Sequence, residues 1–255
     1  MPEQTAIVVG AGGTIGGASA RALAAGRDAV LCVDLDLQRA ERTAAAIRST
    51  GTSASALQAD AESAEFATLV SGAVAADSEV TAVVHAVAYE EHVPSEQASL
   101  SSLQRSFAVG PLAAFALFRE LLTSGHLVRG SALTAIGSLH ASQPFANCLA
   151  YNAAHGALAQ VVRTLAHEWA ARGIRVNAVV PGWIRTEAEV TFYGEKFLDR
   201  AAGGLPLGRF GTAEDIAASV QFLSSEHASY ISGSFLTVDG ALSVSLARLT
   251  QESDT

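Results

Sequence analysis

Short runs of consecutive apolar residues alternate along the chain with longer Ala-rich stretches in which apolar residues recur at helical spacing. Runs such as Ala6-Ile7-Val8-Val9 and Val80-Thr81-Ala82-Val83-Val84 are almost continuously apolar, as a strand buried on both faces requires. On this pattern strands are predicted near 5–10, 28–34, 54–59, 80–87, 129–137, 174–180 and 233–238. Helices are predicted near 14–25, 37–49, 62–76, 96–124, 150–172 and 213–224. The strand–helix–strand alternation implies an α/β fold, a parallel sheet with helices on both faces. One stretch, roughly 181–212, interrupts it and carries Gly182, Gly194, Gly203, Gly204, Pro206 and Gly208. A loop this long in a compact domain is usually functional, so 183–212 reads as a lid-like substrate segment.

The chain has 255 residues, 49% hydrophobic and 16% charged, which fits a single α/β domain over 1–255 and excludes extensive disorder. A net charge of −9 argues against a nucleic-acid or anionic-membrane partner. No continuous apolar run reaches the ~18 residues that span a bilayer. The N-terminus lacks a basic segment of the signal-peptide kind, and the expected location is cytoplasmic. Cys32 falls in a buried strand as a small core hydrophobe, and Cys148 is placed to edge a pocket. Their spacing suggests neither a disulfide framework nor a metal site.

The first strand runs into Gly10-Ala11-Gly12-Gly13-Thr14-Ile15-Gly16 and then into a helical stretch. Glycines at this spacing allow a tight turn and close approach of a pyrophosphate, whose charge the helix N-terminus favours. Strand–turn–helix context makes the motif specific for a dinucleotide. Asp34, at the end of strand two, can accept both hydroxyls of an adenine ribose and would repel a 2′-phosphate. Neither the turn nor Leu35 offers a compensating cation, so the expected cofactor is NAD(H). Asp60 ends strand three, where it could accept from the adenine amino group or cap a helix.

The second constellation is Ser138, Tyr151 and His155. Tyr151 and His155 lie one helical turn apart on one face. A phenol beside a nitrogen base, with a hydroxyl from a neighbouring strand end, can move a proton to or from a carbonyl or alcohol oxygen. Other bases within plausible reach are His85, His140, Glu90, Glu91 and His92, of which His85, at a strand's C-terminal end, is the best substitute. Trp183, Phe192, Tyr193 and Phe197 could supply apolar contact to a substrate or simply pack together.

Together the glycine-rich turn, Ser138 with Tyr151, the run from Gly173 to Gly182 and the run from Ser232 to Gly240 resemble the short-chain dehydrogenase/reductase family, from Thr5 to about Leu242. The resemblance implies a Rossmann-type, doubly wound, seven-stranded parallel sheet and a homotetramer or homodimer. It implies Tyr151 as general acid/base, Ser138 as holder of the substrate oxygen, and a ribose-binding Lys four residues beyond the Tyr. That position is His155. The family's relay Asn should fall within 106–110, most simply at Phe107, and no Asn is there. His85-Ala86-Val87-Ala88 stands in place of Asn-Asn-Ala-Gly, which puts Ala86 among the cofactor-binding positions. Pro181, Gly182, Ile184 and Thr186 match the segment that places the nicotinamide carboxamide.

Lys would lower the Tyr pKa by a permanent charge. A unit charge ~5 Å from the phenol at an effective dielectric of ~20 is worth roughly 3 kcal/mol, or about two pKa units. Imidazole, largely neutral at pH 7, does not supply it. The expectation is therefore a Tyr pKa near 10, a chain that favours carbonyl reduction over alcohol oxidation, and a small carbonyl or alcohol substrate. Two alternatives follow from the altered positions: a nucleotide-binding protein without redox activity, and a non-redox lyase or dehydratase on the same scaffold.

Overall fold

The computed structural model describes residues 2–245. Seven strands form one sheet: β1 (Gln4–Val9), β2 (Ala29–Asp34), β3 (Ser53–Gln58), β4 (Glu79–His85), β5 (Leu127–Ile136), β6 (Arg175–Pro181) and β7 (Phe235–Val238). Their order is β3-β2-β1-β4-β5-β6-β7 and every pairing is parallel. Val9 pairs with both Val33 and His85, so the chain reverses its winding between β1 and β4. In such sheets a crevice opens at this point, beyond the C-terminal strand ends. All the candidate motifs lie at that edge.

The helices are α1 (Thr14–Ala24), α2 (Leu37–Arg48), α3 (Phe66–Gly72), α4 (Leu100–Phe107), α5 (Ala113–Thr123), α6 (Leu149–Trp169), α7 (Glu187–Tyr193), α8 (Glu195–Ala202) and α9 (Ala213–Leu223). The continuous apolar runs of β1 and β4 are explained by a core on each side. One face packs Ile7, Val83 and Leu133 against Leu117, Phe118 and Val162 of α5 and α6. The other packs Val8, Cys32 and Val84 against Leu23, Ile47 and Ile216 of α1, α2 and α9.

Three expectations need correction. The predicted helix 96–124 is broken into α4 and α5 by a π-turn, Ala108–Leu112, because Pro111 has no N–H for a regular helical bond. The predicted helix 62–76 shrinks to seven residues. The segment 183–212 is not irregular throughout: it holds α7, capped by the Thr186 hydroxyl on Glu189 N, and the short amphipathic α8. Moreover Leu100–Thr123, taken as one unit, is long and apolar enough by composition to cross a membrane. Here it is a core element, with Val109, Ala113, Ala114, Leu117, Phe118 and Leu121 buried.

Candidate active site

At Gly10 the chain leaves β1 with φ of 82°, a conformation that L side chains avoid. A Cβ there would lie 2.6 Å from the Ala86 carbonyl oxygen, so the β1 and β4 exits are pressed together. Gly16 is tighter still: its Cβ would lie 2.1 Å from the Gly10 oxygen. Helix α1 starts after Gly13, which contributes no side-chain cap, so N–H groups of its first turn remain available to an anion. Thr14 lines the open cleft outside the turn, while Ile15 packs inward on the α1–α2–α9 core.

Asp34 sits where the sequence put it. One carboxylate oxygen accepts from Gly12 N at 2.8 Å and the other from Asp36 N at 3.0 Å. A cation from outside the turn and Leu35 stands beside it. Arg39, in the first turn of α2, folds back so that its Nε donates to the Gly12 oxygen at 3.2 Å. It lines a cleft of about 860 Å³ with Gly12, Gly13, Thr14, Arg21 and Arg42. Arg39 is separated from the strand end by the turn into α2, so nothing at Asp34 or Leu35 in the sequence points to it. The cleft, the free amides and the Asp34 carboxylate fit a dinucleotide.

Asp60 is exposed and accepts from Glu62 N at 2.9 Å. It does not cap α3, which begins after Glu65. Pro181 closes β6, and Gly182 N bonds the Val238 oxygen at 3.0 Å. Ile184 is buried and bridges to Gly211, while Thr186 is committed to capping α7.

Ser138 follows β5 and is nearly buried, its hydroxyl accepting from His140 N. Tyr151 is in the first turn of α6, and its ring centroid lies 4.2 Å from that of His155. Burial, followed by the nearby Glu90 carboxylate, raises the Tyr151 pKa, against a smaller downward pull from the Ser138 hydroxyl. The phenol is thus held above its ordinary value rather than near 10. Burial, with repulsion from His140 and His85 next, lowers His155 to about 4. At neutral pH the residue in the Lys position is an uncharged imidazole, with Nδ1 buried and unpartnered.

His85 is fully buried and braces the π-turn: its Nε2 lies 2.9 Å from the Val109 oxygen. Burial lowers its pKa to about 4. Neither Val109 nor Phe107 has a side chain capable of the family's relay, and neither lines the small cavity beside Tyr151 and His155. From this stretch Ser106, Gly110 and Pro111 line a water-sized cavity of about 10 Å³ together with Tyr151 and His155. His140 is tied to Asn152 Oδ1 at 2.7 Å and meets Tyr151 edge-on, centroids 4.9 Å apart. Glu91 accepts from the Ser102 hydroxyl and braces the loop after β4. In the segment 183–212 Trp183 donates to Glu189 at 2.6 Å and packs on Tyr193, Phe197 and Phe210. These aromatics mainly hold one another, and Phe192 alone reaches across, to His92 at 4.8 Å.

A parallel Rossmann-type sheet with a phosphate-binding turn at its switch point and a Ser–Tyr pair at the neighbouring strand ends is an oxidoreductase scaffold. The chain belongs to the short-chain dehydrogenase/reductase family: residues 10–243 match the family described as enoyl-(acyl carrier protein) reductase. It is 32% identical over 254 residues to 3beta-hydroxysteroid dehydrogenase 1 of Eggerthella lenta, covering 96% of this chain and 95% of that one. It is 31% identical to the L-tagatose-forming galactitol 2-dehydrogenase of Cereibacter sphaeroides, covering 94% of each. Among solved structures it resembles a protein assigned as an NAD(P)-dependent gluconate 5-dehydrogenase from Beutenbergia cavernae with bound NADP at low occupancy. That match has a TM-score of 0.87 and 32% identity and covers 96% of this chain and 98% of the other.

Proposed function

We propose that the chain is an NAD(H)-dependent oxidoreductase that interconverts a ketone and a secondary alcohol, working chiefly as a reductase. The observation that carries this reading is a buried, protonated Tyr151 beside Ser138, with an uncharged His155 in place of a cation. A bound nicotinamide supplies or accepts the hydride. The Ser138 hydroxyl orients the substrate oxygen, and Tyr151 donates a proton to it as the carbonyl is reduced. Two features next to Tyr151, burial and the Glu90 carboxylate, hold the proton on until that donation. The reverse reaction needs tyrosinate, which the same features oppose. Relatives named for oxidation of hydroxyl groups support the chemistry.

Residues 1–255 would act as one dinucleotide-binding and catalytic unit in the cytoplasm, with 183–212 as its substrate lid. Exposed Leu100, Leu112, Phe115 and Leu149 on α4 to α6 support a homodimer or homotetramer built on those helices. Asp34 supports NAD(H) over NADP(H). Arg39 and Arg42 favour a second reading, NADP(H), in which they offset the Asp34 charge around a 2′-phosphate. Calorimetric titration with NADH and NADPH separates the two, followed by a ketone screen with Tyr151→Phe as the control. The expected result is micromolar NADH binding, weaker NADPH binding, and ketone reduction lost in the variant. Dinucleotide binding without reduction of any ketone would overturn the reductase assignment.

A further inference from the structure

Beside Tyr151, three side chains from two distant segments converge on one point. Glu90 and His92 come from the loop after β4, and Cys148 from the residue before α6. A carboxylate oxygen, an imidazole nitrogen and the sulfur all lie within 4.8 Å of one another. Glu90 Oε1 is 3.1 Å from His92 Nε2, and Cys148 Sγ is 3.6 Å from His92 Nδ1. Tetrahedral zinc places such donors about 3.3–3.8 Å apart, so shifts of about 1 Å and a turn of the imidazole would close the set. A backbone bridge holds the two segments together: Val93 pairs with Cys148, and Val93 N donates to the Asn147 oxygen at 2.8 Å. The His92 ring is braced from outside by Phe192.

We propose that Glu90, His92 and Cys148 form a binding site for a thiophilic divalent cation of the zinc type, with a fourth coordination position open to the substrate mouth. The donor set selects the ion. A thiolate, an imidazole and a single carboxylate suit zinc or cobalt, whereas magnesium and calcium seek oxygen ligands. Three protein ligands with one free position is the arrangement of reactive rather than purely structural zinc. The local charge agrees. Glu90 and Cys148 are two acids side by side, Glu189 adds its field to Glu90, and no Lys or Arg is paired with any of them in a salt bridge among the described residues. Binding converts the Cys148 thiol to a metal thiolate and releases its proton to solvent, so affinity rises with pH. Resting on the oxidoreductase reading, the consequence is that the ion balances the Glu90 carboxylate and the Cys148 thiolate, so the negative field of Glu90 on the Tyr151 phenol is cancelled, which the uncharged His155 does not do.

The test is titration of the whole protein with Co²⁺, with no nicotinamide or ketone present. One equivalent should bind and give a thiolate-to-cobalt charge-transfer band together with tetrahedral visible bands. The charge-transfer band should vanish in Cys148→Ser and persist in Cys32→Ser. Glu90→Gln, a near-isosteric change at a partly exposed position, should weaken Co²⁺ by at least about tenfold. Zinc should compete the cobalt signal away. Absence of a thiolate band in the wild type, or a band that survives Cys148→Ser, overturns the site. Neither result bears on ketone reduction, which is measured separately with added chelator.

Discussion

At position 155 one imidazole stands where the family's pattern has an ammonium, and the electrostatic consequence is set by burial rather than by residue type alone. A His with its ordinary pKa would be partly charged at pH 6.5; this one, lowered to about 4, is not. Alcohol oxidation should therefore track the fraction of tyrosinate, rising about tenfold per pH unit through neutral and alkaline pH, because Tyr151 titrates above its ordinary value. Carbonyl reduction, which needs the phenol, should stay flat over that range. His155→Lys should raise oxidation at pH 7 by on the order of 100-fold, from roughly 3 kcal/mol of charge–phenolate attraction. Rate profiles of kcat/KM in both directions check this, and an unshifted oxidation profile in the variant would remove position 155 from the electrostatics of Tyr151. At the other end of the cleft, Gly12 tolerates no side chain. A Cβ would lie 2.5 Å from Arg39 Cβ and 2.9 Å from Asp34 Cγ. Gly12→Ala should leave the far-ultraviolet circular dichroism unchanged and weaken dinucleotide binding at least tenfold, read by calorimetry.

At the scale of elements, the central strands β1, β2, β4 and β6 were legible because a doubly covered parallel strand is a nearly uninterrupted apolar run, whereas the edge strands β3 and β7 are only partly buried and were placed by their position in the strand–helix alternation. The break in 96–124 was written in Gly110-Pro111, but a π-turn keeps the helical direction, so apolar periodicity alone reads straight through it. Helices α7 and α8 were hidden for the opposite reason: seven and eight residues among glycines give too little periodicity to stand out. The Ser138–Tyr151–His155 group was legible since two members share a helix turn and the third sits on the adjacent strand exit. Arg39 over Gly12, and Glu90–His92 against Cys148, were not, because crossovers bring them together from remote parts of the chain. The π-turn also yields a stability prediction. Gly110 has no φ in the left-handed region, and a Cβ there meets nothing within 4 Å. Gly110→Ala should stabilise the protein by about 0.5–1 kcal/mol, chiefly by restricting the unfolded chain. The urea midpoint measures it, and a lower midpoint would mean the turn needs glycine for another reason.

Over the whole molecule, two imidazoles are buried in uncharged form, which couples the fold to pH. His85 and His155 titrate near 4 in the folded chain against about 6.5 unfolded. Between those values the unfolded chain binds protons that the folded chain refuses, so stability is fully present above about 6.5 and is lost as pH falls toward 4. Each group acting alone would remove about 1.4 kcal/mol per pH unit in that window. Glu90, whose carboxyl is raised by burial and only partly offset by His92, works with opposite sign, since its folded form holds a proton longer than its unfolded form. Asp215, lowered to about 2 by Arg209, gives up its contribution only at lower pH and cannot produce a loss at pH 5. The net expectation is a fall of about 1–3 kcal/mol per pH unit between 6.5 and 4, steeper than surface carboxylates would give. Urea unfolding across this range should show it, with a flatter profile in His155→Phe, which removes one buried titrating group and keeps an aromatic ring against Tyr151. His85→Asn should flatten the remaining slope while leaving a donor for the Val109 oxygen. A profile unchanged by both substitutions would place the acid sensitivity outside this core.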